Sequence, residues 1–197
     1  MIIYYRNMRT KDEAKQDAII KATVELVNRI GFVSASVAKI AKAANVSPAT
    51  IYIYYKNKEH LLTSTYMEIK QKLSKAMLNG FDESMPVRDT FKLVWKNGFR
   101  FISQYREFFY FTEQFSYSPY SSLVDKKEAE KHFAPIFNVV QHGIQQKIIK
   151  DVPMDVLTVF MFYPVMLLSN PRVCGGFELN KENIDTAFGM AWDAVKL

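Results

Sequence analysis

From Lys11 to Ile30, apolar residues recur at Ile19, Ala22, Leu26 and Ile30, with Val24 and Val27 beside them. Intervals of three and four place them on one face of a helix. Gly31 follows at once, and glycine readily takes the left-handed conformation that ends a helix. Ser36 can cap a second helix in which Val37, Ile40, Ala41 and Ala44 share a face. Helical signal resumes at Pro48. A long helix is predicted from Asn57 to about Asn79 through Leu61, Leu62, Met67, Ile69 and Leu73, closed by Gly80 and the run up to Pro86. Further helices are predicted over 87–105, 106–117, 122–149, 153–169 and 181–196. The pattern is that of an all-α chain of about nine helices.

The stretch Ser47–Lys58, SPATIYIYYKNK, sits uneasily in that scheme. Ile51-Tyr52-Ile53-Tyr54-Tyr55 is β-branched and aromatic, which is strand chemistry. Yet Ser47 followed by Pro48 is a helix start: a capping hydroxyl, then a residue whose missing N–H would have had no partner. A lone five-residue strand has nothing to pair with in a helical chain. Read as a helix, Ile51 and Tyr55 turn inward towards Ile40, Val46 and Leu61, and Tyr52 points elsewhere. The segments 36–44 and 48–54 then form a helix-turn-helix.

Charge gives this N-terminal part a partner. The 197 residues carry a formal net charge of +6. Residues 1–60 hold ten Lys/Arg against five Asp/Glu, and the rest is nearly balanced at sixteen against fifteen. A basic third on a neutral remainder suits an anionic partner. Tyrosine hydroxyls, Lys56 and Lys58 gather on one edge, with Lys58 at the start of a helix whose dipole also favours an anion. The lone Cys174 excludes an intrachain disulfide framework and fits a reducing compartment. MIIYYRNM lacks the apolar core of a signal peptide. The most apolar run, residues 154–168, is shorter than the roughly 20 residues of a membrane span and is interrupted by Asp155 and Pro164. The expectation is a soluble, cytoplasmic protein without membrane contact.

Residues 34–62, SASVAKIAKAANVSPATIYIYYKNKEHLL, resemble the DNA-binding segment of the TetR family of bacterial transcriptional repressors, and AIIKATVELVNRIGF resembles that family's first helix. The likeness covers roughly residues 11–62, without a gap from Gly31-Phe32 to Leu61. Two positions depart from the common pattern: Lys39 stands where an acid is frequent, and Ile53 where a polar or aromatic residue is common. The resemblance implies a dimer that places the helix at 48–54 in the major groove of each half-site of double-stranded DNA. Pro48, Ala49 and Thr50 would sit nearest base edges. Tyr52, Tyr54 and Lys58 would hold phosphates, with Ser36 and Lys39 near the backbone; such contacts position the protein, while base contacts specify sequence. Tyr55 is read as core. Val37 and Ala38 can touch thymine methyls or simply pack.

The predicted organisation is an N-terminal arm over 1–10, expected to be disordered, a DNA-binding domain over 11–56, and an effector-binding and dimerisation domain over 57–197. Met8 is a second candidate start. Arg6, Arg9 and Lys11 can form a basic arm for a minor groove. The helix near 153–169 is apolar almost all round, so it is buried on every side. It and the last helix are expected to pair two copies, with Val165, Leu168, Ile184, Phe188 and Trp192 in the interface. Residues 91–120 are rich in aromatics and suggest a cavity for a small-molecule effector, hydrophobic or cationic. Tyr66, Trp95, Phe99, Phe111, Phe115 and Phe137 would line it, with Gln104, Glu113 or Gln114 as polar orienters; Glu107 is a further carboxylate among the rings.

No catalytic or metal constellation is visible and no cofactor is expected. His60, His132 and His142 fall in different helices, and the Gly-Gly of RVCGGF follows no strand. Two other readings stay open: an architectural or division-linked DNA-binding factor without an effector, and a small all-α carrier or enzyme.

Overall fold

The computed structural model describes residues 2–197, and side chains from residue 12 onward except that of Lys126. Its helices are α1 (Ile2–Ser34), α2 (Val37–Ala43), α3 (Pro48–Tyr54), α4 (Lys58–Met77), α5 (Val87–Gln104), α6 (Arg106–Ser116), α7 (Lys126–Lys131), α8 (Ala134–Gln145), α9 (Met154–Met161), α10 (Tyr163–Leu168) and α11 (Lys181–Val195), with a 3-10 turn at Pro119–Leu123 between α6 and α7. No strand occurs among the described residues.

Two predicted helices are each broken in two. Pro135 and Pro164 stand in the first turns of α8 and α10. Proline fits there, where its missing N–H has no intrahelical partner, and it starts a new helix rather than continuing the old one. α1 bends at Gly31, whose φ of 77° and ψ of 165° leave the helical region where the sequence predicts a stop. The bounds of α1 take in residues 2–10, where an irregular arm is expected. Met1 and the side chains of Arg6, Arg9 and Lys11 lie outside the described residues.

Contacts divide the chain into two units: residues 1–69 with 107–125, and residues 70–106 with 126–197. Helix α4 thus contributes to both, and α6 belongs with the N-terminal helices. The boundary predicted after residue 56 does not follow this division.

The first unit is built on Ile19, Leu26 and Val27 of α1, Ile40 and Ala41 of α2, Ile51 of α3, Leu61, Leu62 and Ile69 of α4, and Phe111 and Phe115 of α6. These are the apolar stripes that the spacing predicts, joined by two rings of α6. The second unit is organised round α5, which packs on α8, α10 and α11. Phe91 meets Phe162 at 6.2 Å and Trp192 at 5.9 Å between ring centroids, and Trp95 meets Phe188 at 5.8 Å. Gly98 lets α10 approach: a Cβ there would stand 3.3 Å from Val165. Buried Asn97 donates to the carbonyls of Met77 and Asn79 at 3.1 and 2.9 Å, satisfying groups that the end of α4 leaves open. An isolated bridge between Ile149 and Lys196 ties the chain end to the segment after α8. Among the described residues no helix is long and apolar enough to cross a membrane.

Candidate nucleic-acid interface and effector core

The helix-turn-helix is held by its caps. Ser36 Oγ accepts from Lys39 N at 3.3 Å, and Ser47 Oγ accepts from Thr50 N at 3.1 Å. Asn45, with φ of 55°, turns the chain between them, a conformation that asparagine tolerates better than most residues. Tyr55 ends α3 in an extended conformation, φ −131° and ψ 125°. The strand propensity of 51–55 is overruled: a strand would put Ile51, Ile53 and Tyr55 on one face, whereas Ile51 and Tyr55 are buried in the first unit's core and Ile53 is exposed, the separation that a helical turn gives. Burial pushes the Tyr55 phenol up to about 12, with Glu68 and Asp17 adding to the shift. It is a core residue, as read.

The opposite face of α3 is open. Pro48, Ala49, Tyr52 and Ile53 are exposed, Tyr52 at 55% and Ile53 at 77%. Among the described residues, no hydrogen bond engages the Tyr52 hydroxyl. Thr50 is half-buried and its hydroxyl lies 2.9 Å from that of Ser47, so it shares in the cap.

Two residues expected at phosphates already serve the fold. The Tyr54 hydroxyl donates to Asp12 Oδ1 at 2.8 Å, pinning α3 to α1, and this bond raises its pKa. Lys58 Nζ donates to the carbonyls of Phe32 and Val33 at 2.5 and 3.2 Å, closing the bend after Gly31. An ammonium has three N–H groups, so one is left for a phosphate. Lys39 Nζ likewise reaches Ser34 O at 3.1 Å. These partners lie far along the sequence or on a carbonyl, where residue type gives no signal. Lys56, which the sequence places on the same edge as Lys58, is exposed after α3; Lys42 is exposed on α2, and composition alone does not single it out.

The aromatic candidates are divided between the two units. Tyr66, Phe111, Glu113, Gln114 and Phe115 belong to the first unit, and Trp95, Phe99 and Phe137 to the second. Phe111 and Phe115 are fully buried, with Phe32 at 5.6 and 5.9 Å and Tyr66 stacked on Phe115 at 4.4 Å. They are packing residues that seat α6 against α1 and α4. Gln114 and Glu107 clamp the same contact: Gln114 Nε2 donates to Asn28 Oδ1 at 3.0 Å, and Asn28 Nδ2 donates to Glu107 Oε2 at 2.7 Å. Glu113 is half-buried. In the second unit Trp95 and Phe99 are core, and Phe137 is half-buried on α8.

The candidate interface residues also need correction. Phe188, Trp192 and Val165 are buried within their own unit, against Trp95, Phe91 and Gly98. Leu168 and Ile184 are half-buried. The free apolar surface is the other side of the same helices: Val156, Val159, Phe160, Tyr163 and Leu167, each 42–52% exposed, with Met190 on α11. Positions 156, 159/160, 163 and 167 run as a stripe along α9 and α10. No cluster of three metal-ligating side chains occurs among the described residues.

Comparison with known proteins matches two stretches of the chain. Residues 19–65 match the family described as bacterial regulatory proteins, tetR family, and residues 86–196 match the tetracyclin repressor-like C-terminal domain. A TetR family transcription regulator from Marinobacter aquaeolei VT8 is 38% identical, with 95% of this chain and 98% of that one covered and a TM-score of 0.87. An uncharacterized HTH-type transcriptional regulator of Haemophilus influenzae is 25% identical over 96% of this chain and all of its own length. The fold is also that of the transcriptional regulator FadR from Bacillus subtilis in complex with stearoyl-CoA, with 21% identity, TM-score 0.68, and 88% of this chain and 94% of that one covered.

Proposed function

We propose, from the premise that this chain belongs to the TetR family of bacterial transcriptional regulators, that it is a cytoplasmic repressor which binds a palindromic operator as a homodimer and is released by a lipophilic small molecule. The family acts by binding and not by catalysis. The observation that carries the DNA half is α3: doubly capped, anchored by Ile51 and Tyr55, and presenting Pro48, Ala49 and Tyr52 to solvent. On this reading residues 11–56 read DNA. Thr50, Pro48 and Ala49 meet bases, while Tyr52, Ser36, Lys39 and the third N–H of Lys58 meet phosphates. Tyr54 acts through its bond to Asp12, since a phenol has one proton to donate.

Residues 57–197 dimerise and bind effector. The stripe on α9 and α10 is the contact with the second copy, because exposed apolar side chains in such a row are what a monomer rarely leaves open. The lipophilic effector is supported by the aromatic core of the second unit and by the stearoyl-CoA held by the FadR relative of this fold. To release DNA, the effector must bind the DNA-incompetent conformation better, and coupling of about 1–3 kcal/mol is usual.

Substitution on α3 tests the DNA half. Tyr52→Phe is expected to weaken binding several-fold on all sequences alike and to leave base preference unchanged. Thr50→Ala is expected to alter preference among operators. Both follow from sorting contacts into positioning and specifying ones. Titrations on a panel of DNA duplexes at several salt concentrations check this. A Tyr52→Phe protein with changed preference and unchanged affinity would reverse the two roles.

A further inference from the structure

We infer that the second unit binds a lipophile through an acceptor oxygen, a carbonyl or carboxylate, that takes a hydrogen bond from the indole N–H of Trp95. This rests on the effector-binding reading above and decides between the hydrophobic and cationic ligands that the sequence leaves open.

Trp95 is 1% exposed, and its Nε1 is buried without a hydrogen-bond partner among the described residues. Indole N–H is a donor only, so no rearrangement of its own proton can satisfy it. Buried donors are nearly always paired, and an unpaired one asks for an explanation. The Trp95 ring packs edge-on against those of Phe99 and Phe188, at 5.7 and 5.8 Å between ring centroids, so the indole lies in apolar surroundings. Apolar walls with one aimed polar group are the chemistry of a small-molecule site. Ser169 Oγ, at the end of α10, is a second buried group without a partner, and it too can donate.

The charges of this unit point the same way. All its carboxylates are exposed except Asp185, which lies 3.2 Å from Lys92 Nζ and 3.1 Å from Lys96 Nζ. The buried carboxylate oxygen, Asp185 Oδ1, is thus already faced by two ammonium groups, which compete with any ligand cation for it. Half-buried lysines outnumber that carboxylate: besides Lys92 and Lys96, Lys70 lays its ammonium 4.9 Å from the centre of the Phe133 ring, and burial lowers its pKa against the opposing pull of Glu130. Glu107 and Glu113, the carboxylates that prompted a cationic ligand, belong to the other unit.

The test uses the full chain and three probes of one chain length: dodecanoate, 2-dodecanone and dodecyltrimethylammonium. Calorimetric titration should show the two oxygen-bearing probes binding more tightly than the cation. Trp95→Phe keeps an aromatic ring and removes the donor, so both should bind at least tenfold more weakly while the cation is unaffected. A second readout avoids reliance on that variant. With ¹⁵N-tryptophan label the two tryptophans give two indole signals, and the signal absent from Trp95→Phe, or retained in Trp192→Phe, should shift to a hydrogen-bonded position on adding dodecanoate. Unchanged affinity in Trp95→Phe, or an unmoved indole signal, overturns the inference. Tighter binding of the ammonium probe, with release of operator, also overturns it but leaves the inducible regulator intact. Failure of all three probes to bind overturns the inference and the effector reading together.

Discussion

Phe160→Asp is expected to turn a dimer into a folded monomer, whereas Phe188→Asp is expected to unfold the chain. The two rings lie on neighbouring helices of one unit. Phe160 is half exposed in the stripe of α9 and α10, and Phe188 is 1% exposed between Trp95 and Trp192. An aspartate at 160 stays hydrated in the monomer, so the fold tolerates it. In a two-fold interface it enters twice and brings two like charges into an apolar contact. Burying an unpaired polar or charged group costs about 2–7 kcal/mol or more, enough to dissociate a micromolar dimer. Loss of the second half-site then removes the avidity of paired reading, roughly 10²–10⁴-fold in operator affinity. Sedimentation velocity and circular dichroism on the two variants separate the outcomes. If Phe160→Asp stays dimeric while Phe188→Asp gives a folded monomer, the inward and outward faces have been assigned the wrong way round.

Phe111→Ala is expected to be the most destabilising single truncation in the first unit. The ring is 0% exposed, 5.6 Å from Phe32 and 6.0 Å from Phe115. It is the point where α6 enters the core formed by α1 to α4. Large-to-small truncation of a buried Phe costs about 3–5 kcal/mol, a transfer loss plus the cavity left behind. Against a total stability of about 5–15 kcal/mol, that is a large share. For a chain of this size the melting temperature should fall by roughly 6–20 °C. Phe115→Leu, which retains most of the volume, should cost much less. A thermal melt in which Phe111→Ala is as stable as the parent would mean that α6 does not seat as described. The same loosening should weaken DNA binding, since Phe32 of this ring cluster lies in the bend after Gly31 and its carbonyl accepts from Lys58 at the start of α4.

What the sequence makes legible follows from what periodicity can carry. The stripes of α1, α2 and α4 are read correctly because one face of each is apolar and the other polar. The end of α1 at Gly31 and the cap at Ser47 are read because glycine and Ser-Pro have local conformational reasons to be there. The helix at 48–54 is recovered only by asking what a strand would pair with, since propensity points the other way. α9 and α10 mark the limit. With Val156, Leu157, Val159, Phe160 and Met161 in a row, periodicity cannot say which side is inward, and Val165, Phe188 and Trp192 prove to be core. The aromatics of 91–120 mislead for a related reason. Closeness in sequence is not closeness in space, and the break at Tyr105–Arg106 sends α5 and α6 to different cores. Tyr54 and Lys58 escape because their partners, Asp12 and the carbonyls of Phe32 and Val33, are 42, 26 and 25 residues away. Trp95 is a candidate for its ring, but that its N–H donor lacks an acceptor is visible only once every neighbour is placed.

The central claim is that two copies of α3 read DNA together, and selection from a random DNA pool by the full-length protein tests it most directly. The enriched sites should be palindromic, with half-site centres one helical turn apart, about 34–36 Å, or a multiple of it. Binding to them should weaken steeply as salt rises, because the phosphate contacts release counterions. Enrichment of a single, unrepeated half-site, or no enrichment above the starting pool, would contradict the account.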